Sequence, residues 1–249
     1  MIRAVIFDFN GVIADDETPH LRCFQQALAE HGLSLTKDAY YGTYLGMDER
    51  TCAAALLAAR DGSCDPDLLR TMMDRKATLF REYQAFHKPI LFPGVVEFVK
   101  RAGAHYRLAI ATGGRREQID HALRGTAIER DFAVIVSADD VATGKPDPAI
   151  YLATLKRLTA VDPRPPLLTA SQCVVVEDSR AGIHAAKASG MRAIALATIY
   201  TPDQLAEADL VLPSLDGVHP GSIESLISAN RPAEPARQVS VGSKTPLER

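Results

Sequence analysis

The sequence predicts an α/β protein: a doubly wound parallel sheet (Rossmann-like) interrupted by an all-helical insert. Three observations carry that expectation. Short apolar runs of strand length recur at 2–7, 107–112, 133–137, 173–177 and 192–196, and most stop in polar or glycine residues. Segments with apolar residues at helical spacing alternate with these runs from Pro93 onward, the pattern of βα units whose sheet is covered on both faces. Between the first run and the second lies a long stretch with helix signals only, more chain than a simple crossover needs.

Taken in order, Ile2, Ala4, Val5, Ile6 and Phe7 form a partly β-branched run that ends abruptly in Asp8-Phe9-Asn10-Gly11, the reading of a buried strand with Asp8 at its carboxyl end. A polar turn from Gly11 to Glu17 leads into a helix over Pro19–His31. Leu21, Phe24, Ala27 and Leu28 share one face of it, and Gly32 stops it. Asp48 caps a helix containing Cys52, Ala53, Leu56 and Leu57, and Asp65-Pro66 opens a longer one towards Phe86. Then come a helix over Val95–Ala104, a strand over Arg107–Thr112 ending at Gly113-Gly114, a helix over Arg115–Leu123 and a strand over Ala133–Ser137. A helix over Pro148–Leu158, a strand over Cys173–Glu177 and a helix capped by Ser179 and closed by Gly190 follow, with strands at Arg192–Leu196 and Leu210–Leu212. The expected boundaries are 1–15 and 90–228 for the α/β core and 16–89 for the helical insert. Residues 229–249, poor in apolar side chains and carrying several prolines, are expected to be a disordered tail.

Bulk composition narrows the function classes. The 249 residues are 47% hydrophobic and 24% charged, with a formal net charge of −3. No basic surplus invites nucleic acid or an anionic membrane. Cys23, Cys52, Cys64 and Cys173 lack metal-site spacing and read as free thiols in a reducing, cytoplasmic setting. Neither a signal peptide nor a membrane span is expected. The oligomeric state is left open.

The polar residues that break the pattern all fall at carboxyl ends of strands or just before helices. They are Asp8 and Asn10, Thr112 with Gly113 and Gly114, Lys145 within Gly144-Lys-Pro-Asp-Pro148, and Glu177-Asp178. In a parallel sheet those ends converge on one crevice. Each has a plain reading alone: a turn-capping aspartate, a β residue before a glycine turn, a solvated lysine, acids at a helix start. Four in order on alternating strands and helices favour a shared site.

In that order and context the four elements resemble the haloacid dehalogenase superfamily, in its phosphatase and phosphomutase branch, over roughly residues 1–228. Phe7–Ile13 looks like that family's first motif, Thr112 its second, Lys145 its third and Val176–Ser179 its fourth. The insert stands where the family carries an α-helical cap. The resemblance implies that Asp8 attacks phosphorus to give an aspartyl-phosphate. It further implies that Mg²⁺ is held by Asp8, Asp178 and the backbone carbonyl of Asn10, with Glu177 bound directly or one step removed. Thr112, Gly113, Gly114 and Gly11 then contact the phosphoryl group, and Lys145 balances its charge. Cap closure with hinges near Asp15–Thr18 and Lys88–Leu91 follows from the same likeness.

Asn10 departs from the pattern, because hydrolytic members place there an aspartate that gives and takes the leaving-group proton. An amide does neither near neutral pH, a loss typically worth roughly 10²–10⁴ in rate. Three explanations stand open: a trap substitution, another acid in its place, or drift towards slow turnover or binding. Asp15 and Asp16 are the nearby acids in sequence. Within the insert, the loop from Gly46 to Arg50 resembles the substrate-facing cap loop, with Arg50 the first candidate. Glu17 and His20 are further candidates and Lys76 a weaker one, and all three read equally as cap-surface residues. Arg115-Arg116 reads as a solvated helix start. The leading expectation is a Mg²⁺-dependent phosphatase acting on a small phosphorylated metabolite, such as a sugar phosphate. The alternatives are a β-phosphoglucomutase-like mutase and a non-catalytic binder of phospho-ligands on the same fold.

Overall fold

A computed structural model describes residues 1–44, 49–163 and 165–230, the side chain of Glu49 excepted. Six strands form one sheet in the order β5-β4-β1-β6-β7-β8, with every neighbouring pair parallel. They are β1 (Ala4–Phe7), β4 (Arg107–Ala111), β5 (Val134–Val136), β6 (Cys173–Glu177), β7 (Arg192–Leu196) and β8 (Leu210–Leu212). The expected α/β class and parallel sheet are what the structure has.

Two-sided burial explains why these strands are continuous apolar runs rather than alternating ones. On one face Val5, Phe7, Leu108, Ile110, Val174 and Val176 pack with helix α5 (Val95–Gly103), α6 (Arg116–Leu123) and α9 (Ile223–Ala229). Phe7 meets Phe98 and Phe132 edge-on there. On the other face Ala4, Ile6, Ala109 and Val175 pack with α7 (Ala149–Val161) and α8 (Arg180–Ala188). Strand order runs outward from β1 in both directions, so its carboxyl end lies at the point where the winding reverses, where open α/β sheets bind ligands.

The helical insert leaves and rejoins the core through a two-stranded antiparallel ribbon that the sequence did not announce. β2 (Ala14–Asp15) pairs with β3 (Ile90–Leu91), Ala14 opposite Leu91 and Asp15 opposite Ile90. Between them come α1 (Glu17–Ala29), α2 (Lys37–Ala39), a π-helical turn over Tyr40–Tyr44, α3 (Glu49–Asp61) and α4 (Pro66–Phe86). Leu21, Phe24, Leu28, Leu57, Leu69 and Met72 form their own small core. Asp65 accepts hydrogen bonds from the amides of Asp67 and Leu68, the cap its position ahead of Pro66 predicts. Asp48 and Gly46 lie outside the described residues.

In α9, Ile223 and Ile227, at i and i+4, bury on the first face; Ala229 ends the helix, and the exposed Asn230 donates to the carbonyl of Asp209. Cys23, Cys52 and Cys173 are buried and Cys64 half-buried, all as free thiols. Among the described residues no helix is long and apolar enough to cross a membrane.

Candidate active site

The site is assembled by strand ends. β1 ends at Phe7, and the amide of Asp8 still donates to the carbonyl of Val176 on β6, carrying the carboxylate to the sheet's edge. Thr112 follows β4 in the same way, its amide donating to the carbonyl of Val136. The Thr112 side-chain oxygen accepts from the amide of Gly114, which curls the loop back over the strand and leaves the hydroxyl hydrogen free to point outward. Glu177 is the last residue of β6 and Asp178 the next. Lys145, from the loop before α7, places Nζ 3.0 Å from Asp8 Oδ1 and 2.5 Å from Glu177 Oε1. All the charged groups of this cluster are buried.

Two glycines make room for the carboxylates. Gly11 turns the chain with φ near +78°, and a Cβ there would stand 2.0 Å from Asp178 Oδ2. Gly182, in the first turn of α8, would put a Cβ 1.8 Å from Glu177 Oε1. The expected contact residue Gly11 thus shapes the site by having no side chain.

The electrostatics are those of an acid cluster with too little positive charge. Burial pushes the Asp8 carboxyl up to about 6, against the pull of Lys145. Burial, then Glu177, Asp8 and Glu17, hold Asp178 well above the ordinary carboxylate range. Burial also works against Glu177, but the Lys145 ammonium and the donors around it win, and its carboxyl stays below the usual value. The same two carboxylates, Asp8 and Glu177, hold Lys145 protonated despite its burial. Carboxylate oxygens of Asp8, Glu177 and Asp178 lie within 4.8 Å of one another, and Asp8 Oδ1 is buried without a well-directed hydrogen bond even though Lys145 Nζ is near. An orphaned anionic oxygen among hard oxygen donors fits a divalent cation.

Residues of the insert close over this cluster. A cavity of about 70 Å³ is lined by Asp8, Asn10, Thr112, Gly113, Gly114, Lys145 and Asp178 from the sheet side, and by Glu17, His20, Phe24, Tyr40, Tyr44, Cys52 and Lys76 from the insert. The reading of His20, Glu17 and Lys76 as surface residues is therefore overturned. Lys76 is 1% exposed, with Nζ 2.9 Å from His20 Nδ1 and 4.2 Å from the Phe24 ring centre. His20 stacks on Phe80, 4.0 Å between ring centres. Glu17 accepts from the Tyr40 hydroxyl at 2.8 Å, and burial raises its carboxyl above the ordinary value.

Asn10 is held from two sides. Its Nδ2 donates to Asp16 Oδ1 at 2.8 Å and lies 2.9 Å from His20 Nε2, while Asp16 Oδ2 is 3.5 Å from the same ring nitrogen. Of the two neighbouring acids, Asp16 joins the site. Asp15 is exposed on the ribbon, because in a β-strand successive side chains point to opposite faces.

Arg50 does not reach the Asp8 cavity. It is exposed and lines an adjoining cavity of about 290 Å³ with Arg115 and Asp139, and this second space shares Gly113 and Lys145 with the first. Arg115 is half-buried there, whereas Arg116 is exposed and pairs with Asp120, as a solvated helix start should. Sequence reading missed Phe24, Tyr40, Tyr44 and Cys52 as walls of the site. Lys76 carried a usable signal: it falls in the stripe Leu69, Met72, Met73, Ala77 and Phe80, where a lysine must be buried with the rest. Tyr40 and Tyr44 sit in a π-helical turn, which no spacing rule anticipates.

This fold and this cluster of strand-end residues define a class. A family model of haloacid dehalogenase-like hydrolases matches residues 5–196, and the chain belongs to that family. It falls within the branch of phosphatases and phosphomutases. It is 32% identical over 232 residues to the protein CbbY of Rhodobacter capsulatus, covering 90% of this chain and 99% of that one. It is also 32% identical over 197 residues to a phosphorylated carbohydrates phosphatase of Thermotoga maritima, covering 78% of this chain and 84% of the relative. Among solved structures, an aspartate-to-asparagine variant of CbbY from Rhodobacter sphaeroides in complex with xylulose-1,5-bisphosphate superposes with a TM-score of 0.74 at 29% identity, over 87% of this chain and 96% of that one.

Proposed function

We propose that the chain is a Mg²⁺-dependent phosphatase of small phosphorylated sugars, slowed by Asn10. The observation that carries this reading is a buried carboxylate, Asp8, at the sheet's switch point, with a lysine 3.0 Å away and a second aspartate beside it. Asp8 attacks phosphorus in line, a P–O bond forms to the carboxylate, and the bond to the leaving oxygen breaks. Water then attacks the aspartyl-phosphate, releasing inorganic phosphate and restoring Asp8. The Thr112 hydroxyl and the amides of Gly113 and Gly114 hold the phosphoryl oxygens, and Lys145 offsets charge that grows as the bond changes. Asp8, Asp178 and the carbonyl of Asn10 would hold the cation, with Glu177 behind them. Bound there, Mg²⁺ supplies charge neutralisation between two approaching anions.

The leaving oxygen needs a proton, and Asn10 has none to exchange. Asp16 and His20, the groups that touch its amide, are the nearest titratable side chains on that side. They supply the proton less directly, by way of water, which keeps turnover real but slow.

The sugar is held by the insert, Glu17 and Tyr40 offering polar contacts and Phe24 and Tyr44 flat apolar ones. A cavity of about 70 Å³ is well below the roughly 300–1,000 Å³ of small-molecule sites, so a sugar phosphate enters with the insert swung out about the ribbon. Arg50 and Arg115 in the adjoining space favour a substrate with a second anionic group, in keeping with the bisphosphate bound by the CbbY relative. Assayed with Mg²⁺ against p-nitrophenyl phosphate, sugar monophosphates and sugar bisphosphates, the chain is expected to release phosphate from all three classes, fastest from the bisphosphates, and to stop with EDTA. Ligand binding by calorimetry with no phosphate release would instead identify a binder, and phosphate moved between sugar positions a mutase.

Metal has a second consequence, for stability. Asp8 and Asp178 both have folded values above their ordinary ones. Each therefore contributes stability that is present below the ordinary carboxylate value and lost as pH rises through the raised one. For Asp8 the shift corresponds to on the order of 3 kcal/mol. The metal-free chain should show a Tm several degrees higher at pH 5.5 than at pH 7.5, and Mg²⁺ should recover most of that loss at pH 7.5. Equal melting at both pH values, with no response to Mg²⁺, would remove the case for a cation between these carboxylates.

A further inference from the structure

Glu177 has the most crowded hydrogen-bond shell in the site. Oε2 accepts from the amides of Asp178 and Ser179, at 3.0 and 2.9 Å, and from the Ser179 hydroxyl at 2.9 Å. Oε1 accepts from Lys145 Nζ and, at 3.0 Å, from the hydroxyl of Tyr151. A carboxylate has about four lone-pair directions, and five donors fill them. Glu177 is therefore committed to its neighbours, and Tyr151 is the neighbour that neither motif nor spacing explains.

Tyr151 lies on α7 with its side chain completely buried, beside Ile150 and Leu158, where a phenylalanine would bury the same ring. A buried phenol is costly unless its hydroxyl is bonded, so the oxygen needs Glu177 as much as Glu177 is held by it. The same ring also lies near the ammonium, 5.3 Å from Lys145 Nζ to the ring centre. One side chain thus touches both members of the Lys145–Glu177 pair.

We propose that Tyr151 is a positioning residue for the reaction at Asp8. Its hydroxyl fixes Oε1 of Glu177, and Oε1 fixes Lys145 Nζ at the distance that reaches Asp8. Without the hydroxyl, Lys145 is the sole donor left on Oε1, and the ammonium settles more deeply on Glu177 and further from the transferring phosphoryl group. Lys145 matters most while charge is building on that group, so the loss falls on the chemical step and not on substrate binding. The inference rests on the phosphoryl-transfer reading of Asp8.

The test is Tyr151→Phe in the otherwise unaltered chain, with Mg²⁺ and p-nitrophenyl phosphate, followed by kcat, KM and thermal melting. The expected result is a kcat lower by about 5- to 20-fold, the scale of a hydrogen bond to a charged group partly expressed in the transition state, with KM within about twofold and Tm nearly unchanged. An unchanged kcat overturns the inference while leaving the phosphatase reading intact. Proportionate changes in kcat, KM and Tm overturn it too, as marks of a residue that only packs. An unaltered chain that releases no phosphate overturns the reading of Asp8 and this inference with it.

Discussion

Asp8→Asn is expected to reduce phosphate release by on the order of 10⁴-fold or more, because in the proposed reaction the substitution removes the atom that would bond to phosphorus. Two other carboxylates lie beside Asp8: Glu177 is taken up by five donors, and Asp178 packs against Gly11, where a Cβ would stand 2.0 Å from Oδ2. The same variant should melt higher than the unaltered chain when both are metal-free at pH 7.5. A neutral amide relieves the repulsion and burial that push Asp8 up to about 6. It should also respond less to Mg²⁺, having lost one anionic oxygen. Lower activity with higher stability is the signature of a functional group kept at a cost to the fold. A variant retaining a tenth of the activity, assayed beside the unaltered chain on one substrate, would remove Asp8 from its role.

What the sequence made legible was what repeats. Continuous apolar runs announced a two-sided parallel sheet, and strands at Cys173–Glu177 and Arg192–Leu196 match their expected limits residue for residue. The strand-end residues were legible because parallel strands point the same way and so bring their final residues together. The structure adds the distances, among them 3.0 Å between Lys145 and Asp8.

The insert was legible as helices and poorly legible as a surface. Its wall of the cavity depends on how α1 and α4 cross, and α1 and α4 bring together His20 and Lys76, 56 positions apart in sequence. Each alone looks like a charged residue on a helix; the pair is a tertiary fact. The β2–β3 ribbon escaped because two-residue strands carry no periodicity. Tyr151 escaped for a different reason: within an apolar helical stripe a tyrosine and a phenylalanine are read alike, and the hydroxyl that sets them apart bonds to a residue 26 positions away.

Asn10→Asp is expected to raise kcat by roughly 10²- to 10³-fold, and the geometry around the amide says why the site is ready for it. The Lys76 ammonium beside His20 Nδ1 has hydrogens to give and no lone pair, so a neutral ring carries its hydrogen on Nε2. That hydrogen faces Asn10 Nδ2 at 2.9 Å, itself a donor. Turning the amide over trades this conflict for another, since its oxygen would then face the Asp16 carboxylate at 2.8 Å. Neither orientation of an asparagine satisfies both neighbours, whereas a carboxyl group does. The oxygen standing in the place of Nδ2 accepts from His20 and shares a proton with Asp16, two acids at that distance being unable to ionise together. A shared proton beside the leaving oxygen is a general acid in waiting, and the pair becomes the base once the proton has left. The gain should appear in kcat with little change in KM, and His20→Ala should erase much of it by freeing the new carboxylate to turn away. A variant no faster than the unaltered chain would mean that proton transfer does not limit turnover here. The slow step would then be the opening of the helical insert over a cavity too small to admit a sugar unaided.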